Sequence, residues 1–229
     1  MFGITLPVNF HSPYKATGII EFWRRWHMTL FRFLRDYLYF PLGGNRLGPV
    51  RRYMNMAIVM LLGGLWHGAN WTFVVWGAVH GALLTMNHAW RSLPISRRPG
   101  LNLPAIRTAF MVMTFLAVTL AWVPFRAGSL ASAGNMFAAL FGLAPEAALP
   151  PAIFRWPAAF LLLGVGTATF VMPNTNQIFA KFSPVLGLTG EQLRHSASLV
   201  CLDWKVACIA SGMLVLSVLH LSLSMKKRP

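Results

Sequence analysis

The stretch GGLWHGANWTFVVWGAVHG, Gly63 to Gly81, decides how the chain is read. It is apolar enough for a membrane span, yet it places His67 beside Trp66 in its middle and His80 thirteen residues further on. Gly68-Ala69-Asn70 separates two apolar runs, at about 53–66 and 71–90. Such a break inside hydrocarbon is tolerated only where protein or a water-filled cavity surrounds it. On an unbroken helix thirteen residues turn two side chains about 220° apart and separate them by roughly 20 Å, so the two histidines share a small site only if the break redirects the chain. They are therefore given different jobs. Asn70 is expected to cap the second helix, and Gly77 with Gly81 to form a small-xxx-small face for close helix packing. His80, beside that face, is expected to be structural, donating a hydrogen bond to a neighbouring helix. His67 ends a short apolar run directly before the break, where an ionisable group at membrane depth is a functional candidate.

Composition points the same way. Of 229 residues 56% are hydrophobic and only 11% charged, far from an average soluble domain. Further apolar runs at about 107–125, 156–172 and 205–224 complete five, the third and fifth near the roughly 20 residues a crossing helix needs. The net charge of +15 would suit nucleic acid, but its placement argues against that partner. Eight of the twenty Lys and Arg fall in residues 1–52, four between Arg91 and Arg107, and three close the chain, so the excess flanks the apolar runs and faces a lipid bilayer. With residues 1–52 cytoplasmic, the Arg91 to Arg107 loop is cytoplasmic too. Five full crossings then put the basic C-terminus outside, a conflict that one re-entrant run relieves. Cys201 and Cys208 read as reduced core cysteines rather than a disulfide or metal pair. The predicted fold is all-α: a multi-pass transmembrane helical bundle with interfacial amphipathic and re-entrant helices. MFGITLP at the start has neither a basic nor an apolar signal region, and the chain reads as the back part of something longer.

The segment TGIIEFWRRWHMTLFRFLRDYLYFPLGGNRLG, Thr17 to Gly48, predicts a helix capped by Thr17 and stopped by Pro41 and Gly43-Gly44. At 100° per residue, Glu21, Arg24, Arg25, Arg32, Arg35 and Asp36 share roughly one third of the circumference and aromatic and aliphatic residues take the rest. Such a helix lies at a membrane interface or under a bundle. Arg24, Arg32 and Arg35 are candidates for gripping an anionic donor, with lipid headgroups as the competing explanation. His27 falls about 160° from Arg25, the one ionisable group on the apolar face. Taken alone, it reads as a satisfied core residue.

FWRRWHMTLFRFLRDYLYFPLGGNRLG, then GLWHGANWTFVVWGAVHG, and later WVPFRAGSL at Trp122 to Leu130, resemble the membrane-bound O-acyltransferase family. The likeness is to the branch that acylates bacterial cell-surface polymers, such as the membrane subunit of alginate O-acetyltransferase. It runs from about Ile4 to Leu130 and is mainly compositional beyond. The resemblance implies a helical bundle enclosing a tunnel from a cytoplasmic acyl donor to an acceptor on the other side, in the bacterial inner membrane. It also implies that His67 is the family's catalytic histidine and that His27 is a second functional position. Trp66, Asn70 and the three arginines are the companion candidates for substrate and donor binding. As donor it implies an acyl thioester, acetyl-CoA or an acyl carrier, used as co-substrate with no tightly bound cofactor and no metal. As partners it implies a polysaccharide acceptor and periplasmic acetylation proteins. Members run to about twice this length, so the N-terminal spans of a single family domain are missing here. Within that domain, residues 1–52 form the interfacial region with His27 and residues 53–229 the bundle with His67.

Acyl transfer from a thioester to a hydroxyl needs a base for the hydroxyl proton and donors for the oxyanion. Imidazole suits the first task, so His67 is the expected base, with His27 or Asn70 orienting the donor or stabilising charge. No G-x-S-x-G, H-E-x-x-H or Gly-rich phosphate loop occurs, which leaves serine esterase, zinc hydrolase and nucleotide triphosphatase unsupported. The competing class is a transporter or channel using the histidines as a relay for a glycan or proton. It is disfavoured because Glu21, Asp36, Glu146, Glu191 and Asp203 all lie near predicted loops or interfaces. An inactive fragment is the third reading.

Overall fold

The computed structural model describes residues 6–143, 156–178 and 185–186. The apolar run 205–224, Cys201, Cys208 and the basic C-terminus lie outside the described residues. The chain divides into two compact units. The larger, Asn9–Met172, is helical: α1 (Ile19–Arg25), α2 (Met28–Leu34) continuing into a π turn (Arg35–Tyr39), α3 (Gly48–His67), α4 (Trp71–Ser92), α5 (Pro104–Arg126), α6 (Leu130–Leu140) and α7 (Trp156–Val171). In the smaller unit, β1 (Leu6–Pro7) pairs in parallel with β2 (Val185–Leu186), and α8 spans Thr175–Ile178. Among the described residues one helix, α5, is both long and apolar enough to cross a membrane unaided.

The centre of the larger unit is the α3–α4 hairpin, and glycine sets its spacing. A Cβ on Gly64 would sit 2.3 Å from the carbonyl oxygen of Phe73, and one on Gly77 would sit 2.4 Å from that of Met60. Neither backbone neighbour can swing aside, so the two helices touch main chain to main chain. Gly81 continues the seam, where an added Cβ would sit 3.3 Å from Ala57 Cα. Close backbone approach at small residues is how helices gain dispersion contact where lipid removes the hydrophobic drive between them. Gly64 was not singled out in the sequence, because its partner is a carbonyl on a different helix.

Against this hairpin lie α1 and α5. Ile19, Ile20, Phe22 and Trp23 of α1 share one buried core with Met60 of α3, Trp76 and Leu84 of α4, and Val118 and Ala121 of α5. The α1 helix is therefore a core element, with Phe22 only 1% exposed. Its start differs from expectation. Gly18, not Thr17, is the N-cap, and Asn87 of α4 supplies the missing acceptor, its Oδ1 taking the Ile20 N–H at 3.2 Å. Glu21 turns back to accept from the Thr17 amide at 2.8 Å and the Thr17 hydroxyl at 2.9 Å. Burial pushes the Glu21 carboxyl up, but those hydrogen bonds and the Arg25 guanidinium outweigh it and hold the group below the usual carboxylate range. Its contribution is thus complete above the unfolded pKa and fades as pH falls through the lower folded value.

The continuous helix expected over Thr17 to Pro41 is not formed. It breaks at Trp26–His27, so the helical wheel loses its phase after Arg25 and the single basic arc dissolves. Arg24 acts electrostatically on His88, together with Arg52 and Arg91, whereas Arg32 and Arg35 act on Asp36. Arg35 binds Asp36 through Nε at 2.7 Å. The apolar runs at about 53–66 and 71–90 form helices of 20 and 22 residues, α3 and α4, with the break at Gly68 to Asn70 between them. The connection after residue 126 holds a helix of its own, α6, capped by Ser129 accepting from the Ser132 amide at 3.1 Å.

Gly64→Ala and Gly77→Ala are each expected to lower stability by about 1–3 kcal/mol, the usual cost of overpacking. Gly134→Ala, with nothing within 4 Å of its added Cβ, should leave stability equal or slightly raised. Thermal unfolding of detergent-solubilised protein measures all three, and a Gly64→Ala midpoint equal to that of Gly134→Ala would refute the backbone-contact account.

Candidate active site

Two interruptions in the helices build the site. At the first, Trp26 is extended and His27 takes the left-handed conformation, with φ 45° and ψ 51°. A side chain other than glycine rarely adopts it, at a cost of order 1–3 kcal/mol that the surroundings must hold in place. The surroundings here are the segment Asn9 to His11. The His11 amide donates to the Arg25 carbonyl at 2.9 Å, closing the end of α1, and the Asn9 carbonyl accepts from the Met28 amide at 2.9 Å. Asn9 Oδ1 accepts from the Thr29 amide at 3.1 Å and the Thr29 hydroxyl at 2.9 Å. Asn9 thus caps α2 from a distance of twenty residues in sequence, and His27 is left free to project into the interior. Sequence reasoning missed Asn9, since a capping residue so far from its helix carries no local signature.

At the second interruption α3 ends on His67, and Gly68 lies under the Phe73 ring, 2.8 Å from where a Cβ would be. Asn70 starts α4 as its N-cap, Oδ1 accepting from the Thr72 amide at 3.1 Å. Its Nδ2 donates to the Gly128 carbonyl at 3.3 Å, tying the break to the turn between α5 and α6.

These two breaks, forty residues apart, meet. His27 and His67 line one cavity of about 410 Å³, walled by Trp23, Trp26, Trp76, Trp122 and Phe125 with Leu30, Leu34 and Met60. Trp66 stands between the imidazoles, its ring 6.2 Å from that of His27 and 4.9 Å from that of His67, edge-on to both. Trp76 and Phe125 hold the other sides of the His67 ring at 5.3 and 5.0 Å, again edge-on. Neither ring nitrogen of His67 is hydrogen-bonded by a described residue, and the ring is half-buried. Among the described residues, His27 Nδ1 and the indole N–H groups of Trp23 and Trp76 have no partner and are covered by neighbouring atoms. The surface that the cavity offers a guest is therefore apolar apart from the two imidazoles.

The other candidates divide. His80 is fully buried beneath the cavity floor and packs against Trp76 at 4.8 Å and Trp23 at 5.1 Å. Among the described residues the hydrogen bond expected of it is not made, for neither of its nitrogens has a partner there. Its neighbours are rings, so what it supplies is shape under two tryptophans of the wall. Gly77 and Gly81 lie on the α3 seam. Asn70 is engaged by backbone through both ends of its amide and does not line the cavity. Arg24, Arg32 and Arg35 are exposed and do not line it either. Among the described residues no group of three or more His, Cys, Asp or Glu could hold a metal ion.

The family model of the membrane-bound O-acyltransferases matches residues 1–129, a segment that contains both breaks and the whole cavity wall. The chain belongs to that family. It is 48% identical over 142 residues to the peptidoglycan O-acetyltransferase of Helicobacter pylori, an alignment covering 62% of this chain and 26% of that protein. It is 49% identical over 141 residues to the probable alginate O-acetylase AlgI of Azotobacter vinelandii, covering 62% and 27%. A more distant likeness, 33% over 101 residues, is to the teichoic acid D-alanyltransferase of Streptococcus thermophilus, covering 39% of this chain and 23% of that one. The chain spans about a quarter of the length of the curated relatives it matches.

Asn9→Ala removes the distant cap and should cost about 1 kcal/mol or somewhat more, while Asn9→Asp keeps the acceptor and should hold most of the stability. Thermal midpoints of the two variants measure this. Equal midpoints would mean that the left-handed turn at His27 stands without Asn9.

Proposed function

We propose that this chain is the catalytic portion of a multi-pass O-acyltransferase of the bacterial inner membrane. It transfers an acyl group, an acetyl group by likeness to its relatives, from a cytoplasmic thioester donor to a hydroxyl of a cell-surface polymer or exopolysaccharide such as alginate. The observation that carries the reading is the convergence of His27 and His67 on one apolar cavity. In the reaction, His67 takes the proton of the attacking hydroxyl as its oxygen bonds to the thioester carbonyl carbon. The oxyanion is held by the His27 ring, which lines the same cavity. The C–S bond then breaks, the ester leaves on the acceptor, and the proton on His67 passes to the departing thiolate.

Around that centre the remaining roles are assigned by chemistry. Trp66, in edge contact with both imidazoles, 61% exposed and outside the cavity lining, is assigned to the substrate's approach rather than to the cavity wall. Arg32, with Arg35 beside it in an ion pair with Asp36, presents exposed positive charge to the phosphates of acetyl-CoA or an acyl carrier, and Arg24, set apart from them by the break at His27, contributes from a separate place on the surface. Asn70 acts through the break, keeping the His67 end of α3 in register with the α5–α6 turn. The acceptor polymer and acetylation partners on the far side complete the path. Within the family domain, residues 1–52 bring His27, and the bundle from residue 53 onward brings His67.

In a full-length protein carrying this segment, His67→Ala is expected to lower acyl transfer by about 10²–10⁴-fold, the contribution of a general base, at unchanged protein level. His27→Ala should lower turnover with abundance retained, and His80→Ala should lower abundance and activity together. Transfer of a radiolabelled acetyl group to polymer, normalised to protein, measures each. More than a tenth of the parent rate in a well-expressed His67→Ala variant would overturn the mechanism. For the multi-pass placement, the protein should stay in the membrane fraction through carbonate washing, and release by salt would overturn it.

A further inference from the structure

A second cavity, of about 970 Å³, opens on the other flank of the larger unit between α1, α4 and α5, apart from both histidines of the site. Its two ends differ in chemistry. At one end stand Arg91, in the last turn of α4, and Arg107, near the start of α5, with Ser96 and Asn102 from the connection between them. Both arginines are exposed, and among the described residues neither has a carboxylate partner, the two ion pairs being Arg25–Glu21 and Arg35–Asp36. Glu21 borders the cavity and interacts electrostatically with Arg107, but its oxygens are hydrogen-bonded to Thr17 and Arg25, and one carboxylate against Arg25, Arg91 and Arg107 leaves the end positive. The start of α5 adds the positive pole of a 23-residue helix.

Away from that end the walls are mainly apolar, formed by Met86, Trp90, Phe110 and Met113 with Thr17, Asn87 and Thr114 among them, and Met86 and Met113 are 65% and 58% exposed. From Arg107 to Ala117 the α5 wall rises ten residues, about 15 Å at 1.5 Å each. That is half the roughly 30 Å hydrocarbon core, one leaflet deep. A basic mouth at the membrane surface above an apolar slot one leaflet deep has the shape and polarity of a single anionic phospholipid, and basic pockets between helices take such headgroups.

We propose that this cavity seats one anionic phospholipid, its phosphate between Arg91 and Arg107 and an acyl chain along Met86, Trp90, Phe110 and Met113. The proposal rests on the membrane placement above and not on the acyl-transfer chemistry. Trp90 is the reporter. In nanodiscs holding a full-length protein that carries this segment, brominated phosphatidylglycerol should quench the fluorescence difference between parent and Trp90→Phe at a mole fraction on the order of tenfold below that needed with brominated phosphatidylcholine, as expected for two basic groups. Arg91→Gln with Arg107→Gln should erase that preference, and Arg91→Lys with Arg107→Lys should keep it. Added inorganic phosphate should not compete, because it lacks the chain. Equal quenching by the two lipids, a preference that survives the double Gln variant, or competition by free phosphate overturns the proposal. So does a Trp90 that neither lipid reaches, which would mean that another part of the protein fills the slot. A lipid preference retained in His67→Ala separates this site from the acyl-transfer reading, whichever way activity falls.

Discussion

The main-chain contact between α3 and α4 at Gly64 and Gly77 is the constraint on which the rest depends. With 2.3 and 2.4 Å left for a side chain, the hairpin admits hydrogen alone at these two places, and its spacing follows from that. The spacing carries His67, at the tip of α3, into the corner formed by Trp76 and Phe125. It also presents Met60, Trp76 and Leu84 as the surface on which α1 lies. A hairpin opened by one methyl would lose dispersion contact along the seam, and packed cores answer such an insertion by moving as units rather than by compressing. The catalytic candidate and the core that supports it are thus set by the same two hydrogens.

Helix starts are the second theme, and three of them are capped by asparagines. Asn70 caps its own helix, Asn87 reaches from α4 to cap α1, and Asn9 reaches across twenty residues to cap α2. A helix end leaves amides and carbonyls without partners, and in a medium without water each costs several kcal/mol of order. An asparagine offers a strong acceptor on a short stem and so satisfies an amide at little loss of side-chain entropy. The gain for function is that a broken helix can turn a histidine inward at the break. His27 and His67 both sit at such places, and both face the same cavity.

Charge is arranged around this interior rather than in it. Glu21 and Asp36 are satisfied locally, by Thr17 and Arg25 in the first case and by Arg35 in the second. Arg24, Arg32, Arg91 and Arg107 remain exposed, and the last two stand over a slot of their own. Among the described residues no arginine or carboxylate lines the apolar cavity between the histidines, so its surface is aromatic and aliphatic apart from the two imidazoles.

Much of the fold was legible in the residues. Long apolar runs with flanking basic residues make helices because buried backbone must bond to itself, and the break at Gly68 to Asn70 was visible because glycine and a capping asparagine end and start helices by local rules. His67 stood out by its place before that break, and His27 by its phase on a helix that proves to be interrupted. The arc of arginines was misread for that reason: periodicity assumes an unbroken backbone, and the turn at His27 is held by Asn9 through hydrogen bonds that leave no periodic trace. Gly64, Asn9 and Asn87 belong to the same class, since the atom each one meets lies on another element. Local backbone preference and hydrophobic period are written residue by residue, whereas the meeting of two histidines in one cavity depends on how far apart two helices can come to rest, and only the packed chain decides that.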